Sequence, residues 1–178
     1  MVAGLAAALT AGAAWVGFGA SSAGGEQAVP AADRVESRGW QGRTVDSVAQ
    51  AKQLAGAGRT LTLVSREERA RGVDVGKTGD SVGDFFVFEE SLYTSPRSRR
   101  VIGEDTVRCE LGIRTFNCEG TFRIDGRGKI TVGSALFGPR DNAVPVTGGT
   151  REFSGAGGTL QVYDLRGGRT LLVFKLVR

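Results

Sequence analysis

Two glycine turns constrain this chain more than any other feature. Asp125-Gly126-Arg127-Gly128 and Arg166-Gly167-Gly168 each divide two short runs rich in β-branched and aromatic residues. Gly and Asp tolerate the positive φ of tight hairpin turns, so the flanking runs are expected to fold back on each other as antiparallel strands. The same rhythm repeats from Thr60 onward, with no long helical period. It predicts strands over 60–66, 84–93, 101–111, 115–124, 129–137, 143–147, 158–165 and 169–177. Eight strands in sequential hairpins favour an all-β fold, an eight-stranded antiparallel up-and-down β-barrel, because closure leaves no unpaired edge. Eight strands also enclose an interior that side chains can fill or that can hold one small ligand.

Alternation assigns the faces. Arg108 and Glu110 are charged and point outward, so Asp105, Val107, Cys109 and Leu111 share the other face. Asn117 and Glu119 point outward in the next strand, which turns Phe116, Cys118, Gly120 and Phe122 inward. In the run before them Phe86 and Phe88 are assigned to the interior. Glu90 shares their parity, and a bulge near Glu89 would return it to water. The expected ligand-binding lining is Phe86, Phe88, Val107, Phe122 and Ile124. The last strand is apolar on both faces, with Leu172, Phe174 and Leu176 on one and Leu171, Val173 and Val177 on the other. Its outer face is therefore expected to lie under the N-terminal segment or another subunit.

Length and composition exclude several chemistries. A chain of 178 residues can build one domain with a real core. It has no histidine, which removes a His-based triad, a His general base and any His-containing zinc site. Its formal charge is +4, but the basic residues are scattered. Only Arg97, Arg99 and Arg100 cluster, in a Ser/Pro turn that reads as a solvated loop. Aromatics do not interleave with basic residues, which argues against a nucleic-acid surface.

The first 23 residues carry no charge, and an Ala-rich apolar run over 5–16 is followed by Gly19, Ala20, Ser21, Ser22 and Ala23. That pattern reads as a secretory signal peptide lacking its basic leader region. The many Ala and Gly residues make it weakly hydrophobic for a membrane span. The expected layout is a signal peptide over 1–23, a linker or flexible segment over 24–58 with a short helix around 45–54, and a barrel domain over 59–178. Secretion, and no membrane partner after signal removal, follow as expectations.

Two cysteines admit three readings: a cross-strand disulfide, two buried thiols, or a reactive thiol at Cys109 in the pocket. A turn centred on Ile113 and Arg114 would set Cys109 opposite Cys118. Two cysteines alone cannot build a structural zinc site, and no metal is expected. The glycine-rich run over 148–158 lacks the Gly-Lys-Ser/Thr ending of a phosphate loop and reads as a structural turn. Among the acidic residues, Glu67, Glu68, Asp84, Glu89 and Glu90 are read as solvated. Asp105 and Asp141 are the candidate catalytic carboxylates, since a carboxyl facing an apolar interior has a raised pKa and can act as acid or base.

The order of several short motifs suggests a family. Gly83-Asp84-Phe85-Phe86-Val87-Phe88-Glu89-Glu90-Ser91-Leu92-Tyr93 precedes Gly103, with Cys109 six residues on. Cys118-Glu119-Gly120-Thr121-Phe122, Gly128-Lys129-Ile130-Thr131-Val132-Gly133 and Val146-Thr147-Gly148-Gly149-Thr150 follow. Taken together, these motifs over 60–178 resemble the allene oxide cyclase and dirigent superfamily, most of all its bacterial allene-oxide-cyclase-barrel-like branch. The resemblance implies a barrel that binds reactive apolar molecules and steers ring closure or radical coupling without a cofactor. It also implies that Cys109 stands where plant cyclases carry a pocket cysteine. Ser65 stands at the place of the cyclase's key glutamate, and Glu67 at that of a neighbouring pocket asparagine. Gly157 takes the place of a dirigent arginine, and a dirigent aspartate falls near 141–143. Neither plant active site is preserved, so the resemblance carries fold and not activity.

The expected function is an exported barrel that binds a small apolar molecule, as a cofactor-free cyclase or isomerase of secondary metabolism. The alternative is a non-enzymatic ligand-binding or structural secreted barrel, in either case with a homo-oligomer as an expected assembly.

Overall fold

The computed structural model describes residues 43–56, 60–137 and 143–177. Nine strands form one sheet: β1 (Arg43–Val45), β2 (Thr60–Val73), β3 (Phe85–Tyr93), β4 (Gly103–Leu111), β5 (Phe116–Ile124), β6 (Gly128–Leu136), β7 (Ala143–Gly149), β8 (Gly157–Leu165) and β9 (Arg169–Val177). β2 to β9 pair antiparallel in chain order, and β9 returns to pair antiparallel with β2. The result is the closed eight-stranded up-and-down barrel expected from the sequence.

Each hairpin keeps the parity read from the alternation. Cys109 faces Cys118, Asp105 faces Phe122, and Phe88 faces Val107 across their ladders. The interior core gathers Leu63, Leu92, Phe122, Ile124, Ile130, Leu160, Leu172 and Phe174. Phe122 and Phe174 meet edge to face, with ring centroids 5.1 Å apart. A 3-10 turn over Arg151–Phe153 drives Phe153 into this core.

The first barrel strand differs from its expected span of 60–66 by continuing to Val73. The charged run Arg66-Glu67-Glu68-Arg69-Ala70-Arg71 looks like a turn, yet it is strand with a bulge. Glu67 pairs with Glu90 and Arg69 with Glu89, so one extra residue lies between Glu67 and Arg69. The bulge reverses the facing of everything after it. Leu61, Leu63, Ser65 and Glu67 take the interior face before it; Ala70 and Gly72, opposite Phe88 and Phe86, take that face after it. Arg69 and Arg71 are thereby turned to the outside, where Arg69 approaches Glu89.

Outside the barrel, β1 pairs with β8 and the helix α1 (Val48–Ala55) lies on the last strand. Ser47 caps the helix by accepting a hydrogen bond from the Gln50 amide. Ala51 and Ala55 then join Val45, Val64, Tyr93, Tyr163, Leu171 and Val173 in a second apolar cluster. The doubly apolar face of β9 is thus covered by the chain's own N-terminal segment. β1 pairs parallel to Tyr163, Asp164 and Leu165 of β8, while the described pairing of β7 with β8 stops at Gln161. A short strand therefore seals backbone groups that β7 does not reach.

Candidate functional site

Five adjacent strands bring polar side chains to the interior face. On β3 Glu90 stands directly opposite Asp105 of β4. On its other side Glu90 stands opposite Glu67 of β2, and Ser65 lies two residues before Glu67 on the same face. Thr170 of β9 is opposite Ser65, and Asp164 of β8 is opposite Thr170. The carboxyls border the apolar interior, since Asp105 is also opposite Phe122.

Burial decides the chemistry. Asp105 is 4% exposed and Ser65 fully buried. Neither Asp105 oxygen accepts a hydrogen bond from any donor, and Ser65 Oγ makes none of ordinary length and angle. A buried carboxylate without donors is strongly disfavoured. Burial first, and then the Glu90 charge, push the Asp105 pKa up to about 9. At neutral pH Asp105 is a carboxylic acid and has a proton to donate to Glu90, which resolves its lack of donors. Burial raises Glu90 as well; the neighbouring Ser65 hydroxyl and Asp105 oppose that rise, and Glu67 adds to it. The pair therefore titrates as one unit that shares a proton, with Asp105 the more strongly raised member. Burial also raises Asp164.

Such a pair supplies an acid and a base side by side. Glu90 can accept a proton from a ligand carbon or heteroatom, and Asp105 can deliver one. The neighbouring Ser65 hydroxyl favours the charged form of Glu90, the side of the pair suited to act as base. Among the described residues, no three Asp, Glu or Cys side chains are grouped to hold a metal ion.

The residues singled out in the sequence take distinct places. Phe122 and Ile124 are fully buried in the core, and Val107 packs partly buried against it. Phe86 and Phe88 face inward and remain partly exposed. Around Phe122 side chains fill the interior; Phe86, Phe88, Ala70 and Gly72 line the same face and are half-buried. Cys109 and Cys118 are joined in a disulfide, so Cys109 presents no thiol and the reactive-thiol reading gives way to the cross-strand bridge. Asp141 lies outside the described residues. Asp105 is inward, as its parity implied.

Two acidic residues correct the solvated reading. Glu90 is an inward partner of Asp105, because the bulge falls on β2 and not on β3. Its shared parity with Phe88 was the available signal. Asp84 is buried as a loop staple: Oδ1 accepts from the Val75 amide at 2.7 Å and Oδ2 from the Ser81 amide at 2.6 Å.

No protein-family model matches the chain. No curated protein matches it. Solved structures do. The chain is similar to a pyocyanin demethylase. The identity is 26%, the TM-score 0.55, and the match covers 67% of this chain and all of that one. The likeness thus reaches a whole enzyme domain.

Proposed function

We propose that this protein is a cofactor-free enzyme that binds a small, largely apolar molecule inside the barrel and moves a proton on it. The carrying observation is the inward Glu90–Asp105 pair at the border of an apolar interior, with Asp105 buried and Glu90 half-buried. Burial without donors costs stability, and such a cost is characteristic of sites kept for chemistry. In a proton shift, Glu90 takes a proton from one ligand atom and Asp105 gives one to another. The electron pair of the broken bond stays in the ligand, and no oxidant or reductant is consumed. Cyclisation and isomerisation both fit that balance. The similarity to pyocyanin demethylase supports an enzyme over an inert barrel.

The strand order and the glycine turns support placing the chain with the allene oxide cyclase and dirigent barrels, in a role of holding a folded substrate. The disulfide is compatible with an extracytoplasmic location, and so is the finding that no helix of the described residues is long and apolar enough to cross a membrane.

The test is deuterium uptake. Pyocyanin and a panel of small cyclic and aromatic compounds are screened by thermal shift, and those that bind are incubated with the protein in D2O. Mass spectrometry should show enzyme-dependent deuterium incorporation or conversion, lost in Asp105→Asn and Glu90→Gln. Compounds that bind with neither exchange nor conversion would leave a carrier, not an enzyme.

A further inference from the structure

All titratable groups that the register turns inward on the eight described barrel strands are acidic: Glu90, Asp105 and Asp164, with Glu67, exposed beside the bulge, on the same face. Lys and Arg are abundant in those strands, yet each falls on the outward face. On β2 that outcome depends on the bulge between Glu67 and Arg69. Regular alternation from Ser65 and Glu67 would send Arg69 and Arg71 inward, directly across from the acids and the phenylalanines. The extra residue turns both outward and places Ala70 and Gly72 against the lumen instead. One irregularity thus removes two cations from the interior and replaces them with the smallest side chains available.

No Lys or Arg of the described barrel strands faces these acids. Asp105 is 4% exposed and its oxygens accept no hydrogen bond, so its proton is its polar link to Glu90, and the fully buried Ser65 hydroxyl beside them makes no hydrogen bond of ordinary length and angle. Inward acids without a facing cation, on an interior lined by Phe86, Phe88 and Val107, define what completes the site: an apolar body with a positive or N–H-bearing end. An anionic ligand would meet the Glu90 carboxylate with no cation to offset it.

We infer that the barrel interior selects organic cations, binding a small aromatic ammonium or protonated nitrogen heterocycle with its charged end at Glu90 and Ser65 and its ring against Phe86, Phe88 and the Ala70–Gly72 edge. Aromatic faces add to the preference, since their quadrupole attracts a cation. The inference rests on reading the barrel as a small-molecule site and names the ligand class of that site.

Three probes of one shape test it: 1-naphthylmethylammonium, 1-naphthylmethanol and 1-naphthylacetate. Their dissociation constants are measured by calorimetry at pH 7 and low salt on the full chain. The cation should bind at least tenfold more tightly than the alcohol, and the acetate most weakly. Glu90→Gln should bring cation and alcohol to within about threefold. Ala70→Lys, which restores a positive charge to the lumen, should reverse the order of cation and acetate. Circular dichroism checks that each variant is folded. If the alcohol matches the cation on the wild-type protein, or the acetate exceeds it, charge selection is overturned while the small-molecule site stands. If none of the three binds, the small-molecule site falls, and the inference with it.

Discussion

Glu90 and Asp105 face each other directly across β3 and β4 on the interior side of the barrel, and one proton between them settles their charge. Asp105 keeps a proton when folded over a range, from its ordinary 3.8 up to about 9, in which the unfolded chain has released it. The unfolded state then binds fewer protons, so stability from this group is fully present below the lower value and is lost as pH rises through the upper one. Glu90, also raised, acts in the same direction. Thermal melts at pH 5, 7 and 9 should show wild-type stability falling with pH. Asp105→Asn should flatten that fall and be the more stable protein at pH 9. Parallel profiles for the two proteins would contradict the buried-acid assignment.

The Cys109–Cys118 bridge closes a hairpin with a sequence separation of 9. Crosslinking so short a loop restricts the unfolded chain modestly, so its removal should lower stability by about 2–3 kcal/mol. Urea unfolding of the Cys109→Ser, Cys118→Ser double variant measures the loss. Mass spectrometry without reductant should show no alkylatable thiol in the oxidised protein.

The outer cover can be broken separately. Ala51 is fully buried in the cluster with Leu171 and Val173. Ala51→Glu would bury a charge without a partner there, so the expected loss is about 2–4 kcal/mol. Binding of an apolar dye to the detached outer face should rise with it. An unchanged melting temperature would mean that α1 contributes nothing to the barrel.

Gly158 has a φ of +121°, and a Cβ at that position would meet the Lys175 carbonyl of β9. Gly158→Ala combines backbone strain with a main-chain clash and should destabilise by about 1–3 kcal/mol or more. Equilibrium unfolding gives the figure. Gly155→Ala, with positive φ but open space around its Cβ, is the milder control.

Phe122 is 1% exposed and packs on Phe174, so it belongs to the filled part of the interior. Phe122→Ala should cost about 3–5 kcal/mol. Phe88→Ala, at a half-buried inward position, should cost less and change ligand binding more. Unfolding and calorimetry on both variants separate a core residue from a lining one.

Strand number, order, closure and facing were legible because period-two alternation and glycine turns are local signals. Cys109, Cys118 and Phe122 take their places by that rule alone. The bulge was not legible: Glu67, Glu68 and Arg69 are all charged, so alternation carries no contrast there to show where the phase slips. Charge alone leaves Glu90 in water for a related reason. A charged side chain is placed outside by default, and only a partner from another strand, Asp105, reveals the exception. The doubly apolar β9 announces a cover by the N-terminal segment, but not the strand β1, since three residues docked parallel on β8 leave no periodic trace.

The seam between β2 and β9 bears on how the chain finds this structure. Every other pairing within the barrel joins strands adjacent in sequence, whereas Thr60 pairs with Lys175 at the two ends of the barrel domain. Hairpins form on local contacts in microseconds, but this ladder must wait for a loop spanning the whole domain to close. Closure is therefore the step that sets the folding rate. Leu63 and Leu172 are paired at the seam, and substitutions there should slow refolding. Changes within the β5–β6 hairpin should act mainly on unfolding.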